Sequence, residues 1–167
     1  MKREIYAGIM AALIAAGSAV GVSVRTTEKP CEAETQYCEA RIVYDNEEYT
    51  MSLAEWDAVF NTVMAEAGGE SYEGQKAVAQ CILNKCRLTG HRPIEVLESD
   101  GYARTELRPT ESVKSACIDV FKYGVRVLPE TVTMFYSPKN MPDGTSRDHE
   151  AQIYCTTIGG HRFFTER

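Results

Sequence analysis

The sequence predicts an α+β domain, a helical lobe followed by a small antiparallel β-sheet. Three observations predict it. Apolar residues recur at helical spacing in three separate stretches between Leu53 and Phe121. Each stretch is bracketed by a capping hydroxyl residue or a glycine. From Thr131 onward the pattern changes to short β-branched and aromatic runs between turn residues.

The first helix begins at a capping box. Ser52 and Glu55 can each satisfy a free amide of the opening turn. Leu53, Trp56, Phe60, Val63 and Met64 then form one apolar face, and Gly68-Gly69 stops the helix just after Glu66 or Ala67. A second helix starts after Ser71, turns Val78, Ile82, Leu83 and Cys86 inward, and ends near Gly90. Pro93 opens a short helical turn through Leu97. Thr110 caps a third helix with Val113, Ala116, Cys117, Val120 and Phe121 inward and Gly124 closing it. Thr131 to Ser137 is the first strand of the sheet, and Met141-Pro142-Asp143-Gly144 is a turn-rich loop. Gln152 to Ile158 is the next strand, and Gly159-Gly160 turns it tightly into His161 to Thr165.

The residues before Met51 read differently. Lys2 and Arg3 precede an apolar run from Ile5 to Val24, the pattern of an export signal. The run is long enough for a bilayer, where roughly 20 apolar residues suffice. Residues 1-24 are therefore a cleaved signal peptide or an uncleaved anchor with the domain outside. The small residues come early in the run, which favours the anchor. Residues 25-50 are a polar linker or stem, ending in a loose alternation around Asp45-Asn46 that fits a small hairpin or an extended lead-in. Residues 51-167 form the exported domain.

The composition, 44% hydrophobic and 25% charged, is that of a globular protein. A net charge of -6 argues against nucleic acid as the main partner, because phosphate binding wants a basic patch. It is compatible with a neutral sugar-peptide polymer, bound by a monomer. All six cysteines follow the apolar run, so disulfides are permitted. Cys31 and Cys38 bracket a short loop and can pair. Cys81, Cys86, Cys117 and Cys155 are either paired or small buried apolar residues.

Glu66 is the candidate for chemistry. Cleaving a glycosidic bond needs an acid that protonates the leaving oxygen, and a glutamate serves when its surroundings raise its pKa from about 4.3 toward about 6. Glu66 lies at the C-terminal end of an amphipathic helix, the end unfavourable to negative charge, with two glycines after it. Taken alone, the pattern is more often that of a solvated surface glutamate.

The run Val63-Met64-Ala65-Glu66-Ala67-Gly68-Gly69-Glu70-Ser71-Tyr72-Glu73-Gly74-Gln75-Lys76-Ala77-Val78-Ala79 closely resembles the opening motif of the SleB/CwlJ-type cell-wall hydrolases, known from spore-cortex lysis during germination. Ile82-Leu83-Asn84-Lys85, Phe135-Tyr136-Ser137-Pro138, His149 and Ile158-Gly159-Gly160-His161-Arg162-Phe163-Phe164 resemble later family motifs in the same order. Asp100-Gly101-Tyr102-Ala103 stands where the family often has a Gln-Phe-Ser-like element. Trp56 is the sole tryptophan, so stacking on sugar rings is expected to be weaker or to come from tyrosines.

The resemblance implies a lysozyme-like fold, peptidoglycan as partner, and lytic transglycosylase activity between N-acetylmuramic acid and N-acetylglucosamine. It implies one essential carboxylate; no cofactor is expected, and no metal either, because the spacing of His149 and His161 around Cys155 matches no zinc-ligand signature. By position Glu66 takes the acid/base role. Glu70 is its helper or its rival. Gln75, Tyr136, His149 and His161 are candidate substrate contacts, each with a structural alternative. Two other readings stay open: a zinc-dependent amidase or peptidase using His149, Cys155 and His161, and a non-catalytic wall-binding module.

Overall fold

The computed structural model describes residues 41–44, 47–141 and 147–167. The signal or anchor segment, the pairing of Cys31 with Cys38, and most of the loop after Met141 lie outside the described residues. Arg41–Tyr44 (β1) pairs antiparallel with Glu47–Thr50 (β2), so the hairpin reading of this stretch holds.

Helix α1 spans Leu53–Ala67 and opens with the expected capping box: Ser52 N–H donates to Glu55 Oε2 at 2.8 Å, and Glu55 N–H to Ser52 Oγ at 3.3 Å. Glu55 also ties α1 to the next layer. Its buried carboxylate takes a forked pair of bonds from Arg92, Nε to Oε1 at 2.8 Å and Nη2 to Oε2 at 2.7 Å. Burial pushes this carboxyl up, but bonds from Arg92 and Ser52 outweigh it and hold the pKa below the ordinary value. Leu53 does not join the core; it is 47% exposed. As the first helical residue it lies beyond the end of the packed face. Met51, just before the cap, is buried with Trp56, the pair of positions that staples a helix start.

Helix α2 spans Tyr72–Thr89, with Ser71 as N-cap and Gly90 in the left-handed conformation at its end. Every residue from Gly74 to Asn84 is buried, not one stripe as the apolar pattern implies. The buried amides are satisfied by backbone. Gln80 donates to the Leu128 carbonyl at 2.6 Å and accepts from the Val127 and Leu128 amides at 2.6 and 2.8 Å. Asn84 donates to the carbonyls of Pro129 and Val132 at 3.0 and 2.9 Å. Burying these amides is tolerable because all their polar atoms but one find a partner; Asn84 Oδ1 accepts no hydrogen bond among the described residues. They stitch the segment leading into the sheet onto the central helix.

Helix α3 (Pro93–Ser99) has Pro93 in its first turn, and α4 (Glu111–Phe121) is capped by Thr110. The expected inward residues of α4 are all buried, and Ile118 joins them. Trp56 packs on Phe60 and, edge-on, on Phe121, with ring centroids 5.2 and 6.1 Å apart.

The sheet has order β3-β5-β4, all antiparallel: β3 Val132–Tyr136, β4 Ile153–Ile158, β5 His161–Thr165. A short helix, α5 (Arg147–Glu150), precedes β4 and was not foreseen from the pattern. In register, Phe135 faces Phe163 and Tyr136 faces Arg162. Helices first and a small antiparallel sheet after them is the α+β order the sequence predicts.

None of the four described cysteines forms a disulfide. The disulfide expectation fails for them. Cys81, Cys86 and Cys117 are fully buried among core side chains, and burial pushes the thiols of Cys81 and Cys117 well up. Among the described residues no helix is long and apolar enough to cross a membrane.

Candidate active site

The site forms where α1 ends. Gly68 caps the helix, its amide bonding the Met64 carbonyl at 3.0 Å, and the Glu70 amide folds back to the Ala67 carbonyl at 3.0 Å. Gly68 is forced: a β-carbon there would sit 2.5 Å from the Met64 carbonyl oxygen. Glu66, in the last turn, is partly exposed. Its Oε1 accepts one hydrogen bond, from the Ala103 amide at 2.7 Å. Ala103 follows Gly101, whose positive φ of 69° turns the chain out of α3. Tyr102 packs its ring at a tilt against Phe135, centroids 6.0 Å apart, so the segment holding Glu66 rests on the sheet.

Glu70 points the other way, to the β4–β5 turn. Its Oε2 accepts from the Gly160 amide at 2.8 Å. His161 lies beneath, Nδ1 3.8 Å from Glu70 Oε1 and without a hydrogen-bond partner. Burial lowers the His161 pKa from the ordinary 6.5, and the carboxylates of Glu70 and Glu66 only partly offset it. The imidazole is therefore neutral at pH 7. Its ring packs edge-on against Phe135 at 5.5 Å. A circuit of contacts results: Glu70, His161, Phe135, Tyr102 and Ala103 lead back to Glu66.

No family model matches this chain, and no curated protein does. Two solved structures do. One is the catalytic domain of the germination-specific lytic transglycosylase SleB from Bacillus anthracis, at 27% identity and TM-score 0.53, covering 69% of this chain and 97% of that one. The other is the catalytic domain of the Bacillus cereus SleB protein, at 25% identity and TM-score 0.50, covering 68% of this chain and 91% of that one. This chain is SleB-like. The resemblance read from the motifs around Glu66, and the fold it implied, both stand.

In this SleB-like domain the remaining candidate residues fall into two groups. Gln75 is buried at the α1–α2 corner. It donates to the Glu70 carbonyl at 3.2 Å and accepts from Ser112 Oγ at 2.8 Å, so both ends of its amide are engaged inside the protein. Tyr136 and His149 form a separate cluster at the end of β3. The Tyr136 hydroxyl donates to Glu150, and Arg162 bridges the same carboxylate. Tyr136 stacks on Phe164 at 5.7 Å, and His149 lies against Tyr136 at 5.3 Å. Among the described residues, no three His, Cys, Asp or Glu side chains gather as a metal group.

Two features of the site escape sequence reading. The Ala103 amide carries no side-chain signal, since every residue but proline has one. The seat of Glu70 on the Gly159-Gly160 turn is signalled only by the glycine pair, which also fits an ordinary tight turn.

Proposed function

We propose that the protein cleaves peptidoglycan glycan strands between N-acetylmuramic acid and N-acetylglucosamine as a lytic transglycosylase, with Glu66 as the single acid/base. The observation that carries this reading is the state of Glu66. One oxygen is fixed by the Ala103 amide, and the other makes no hydrogen bond among the described residues. A carboxyl so held can present a proton to a leaving oxygen. The likeness to SleB catalytic domains supplies the substrate class.

Glu66 starts protonated. It gives its proton to the glycosidic oxygen as the bond to muramoyl C1 breaks, freeing the N-acetylglucosamine hydroxyl. The resulting carboxylate then takes the proton of the muramoyl 6-hydroxyl, whose oxygen bonds to C1 and closes the 1,6-anhydro ring. No water is consumed, and Glu66 ends protonated as it began. One carboxylate suffices, unlike the paired scheme of most glycosidases. In this reading Glu70 supports the site by seating the β4–β5 turn.

The test is product mass. Incubation with purified peptidoglycan is expected to release muropeptides with anhydro ends. Products carrying only reducing ends would leave a hydrolase and remove the transglycosylase. The absence of any product from an intact, folded protein would remove the enzyme reading altogether.

A further inference from the structure

A recess lies one helical turn from Glu66 along α1. It is a cleft of about 280 Å³ between α1, α3 and the chain after Ala103. Thr62 lines it one helical turn before Glu66, and Arg104 and Thr105 line it directly after the amide that holds Glu66. Asn61 and Glu98 complete its polar rim, and the buried Leu97 lies at its floor. The volume of about 280 Å³ falls just below the roughly 300–1,000 Å³ usual for small-ligand pockets. It holds part of a ligand, not a disaccharide.

Its charges are unspent. Arg87, Arg92, Arg126 and Arg162 all carry acidic partners. Arg104 and Glu98, both exposed, form no ion pair among the described residues. One cation and one anion beside an apolar floor match a short zwitterionic peptide: a carboxylate for Arg104, an ammonium for Glu98, backbone amides for Asn61, and an alanine methyl over Leu97.

We infer that this cleft binds the peptide stem borne by the muramic acid at the cleavage point. The inference rests on the glycosidase reading for its choice of peptide. Muramic acid carries its stem on the lactyl group, on the same sugar ring whose C1 bond breaks when Glu66 protonates the leaving oxygen. Stem binding in the cleft would anchor the muramoyl unit at the acid and make the enzyme read the peptide as well as the sugar.

The probe is the free tripeptide L-Ala-γ-D-Glu-meso-diaminopimelate, titrated into the Glu66→Gln protein by NMR. Shifts at the Asn61, Arg104 and Thr105 amides, and affinity about tenfold weaker in Arg104→Gln, are expected. No binding, shifts elsewhere, or affinity unmoved by Arg104→Gln would overturn the stem site. A second arm compares the wild-type protein on stem-bearing strands and on strands stripped of stems. Faster cleavage of stem-bearing strands supports the site, and equal cleavage opposes it. Tripeptide binding without cleavage of either strand would discard the glycosidase and keep the stem site.

Discussion

The carboxylate of Glu70 occupies the space that a side chain on Gly159 would need. A β-carbon built there would lie 2.1 Å from Glu70 Oε2, and one on Gly160 would lie 2.7 Å from Oε1. Gly74, across the corner on α2, approaches Glu70 almost as closely, its β-carbon position being 3.0 Å from the Glu70 β-carbon. The α1–α2 corner and the β4–β5 turn are thus fitted around one carboxylate.

Gly159→Ala is expected to cost about 1–3 kcal/mol, since a β-carbon is strained at a positive φ of 59° and the Glu70 carboxylate must swing away from it, off the Gly160 amide. Gly69→Ala is the control: a β-carbon there meets nothing within 4 Å. Denaturant midpoints measure both. Gly159→Ala unfolding at the wild-type midpoint would show that the turn is not seated on Glu70.

His161 gives the fold an acid-sensitive point. Its folded pKa lies below the unfolded value of about 6.5, so below that pH the unfolded chain binds more protons than the folded one. Stability from this group is complete above about 6.5 and is lost as the pH falls toward the lowered folded pKa. Replacing His161 by Asn removes that slope. The stability gap between wild type and His161→Asn should shift against the wild type between pH 7 and pH 5. A pH-independent gap would mean that His161 titrates normally.

Gln80 tests the stitching of the loop to the core. Gln80→Leu keeps the bulk but leaves the Leu128 carbonyl and the Val127 and Leu128 amides without this partner. At about 1–3 kcal/mol per unsatisfied buried group, a loss of roughly 3 kcal/mol is expected. Thermal or chemical unfolding reads it. A near-neutral result would show that water replaces the amide.

What was legible in the sequence was local. The cap at Ser52, the stop at Gly68-Gly69 and the inward face of α4 each depend on neighbours a few residues away. Leu53 was misread because periodicity does not say where a packed face ends. Gln75, Gln80 and Asn84 look like a polar helix face, yet they are buried, because their partners come from other parts of the chain, up to 48 residues away. The Glu66–Ala103 and Glu70–Gly160 bonds span 37 and 90 residues. Glu66 itself emerged only through the ordered motifs, since a glutamate at a helix end has no distinctive pattern.

The two glutamates should separate cleanly on amide substitution. Glu66→Gln keeps an oxygen for the Ala103 amide but cannot give or take the proton, so turnover should fall about a thousandfold, within the roughly 10²–10⁴ that general acid–base catalysis supplies. Glu70→Gln also keeps an oxygen for the Gly160 amide, so the turn stays seated and turnover should remain within about tenfold of wild type. A second readout does not depend on activity. Glu70 raises the His161 pKa, so removing its charge should lower the His161 midpoint in an NMR titration. A thousandfold loss in Glu70→Gln with little loss in Glu66→Gln would make Glu70 the acid, and equal loss would overturn the single-carboxylate scheme. An unmoved His161 midpoint would separate His161 from Glu70 and break the contact circuit that joins the turn to Glu66.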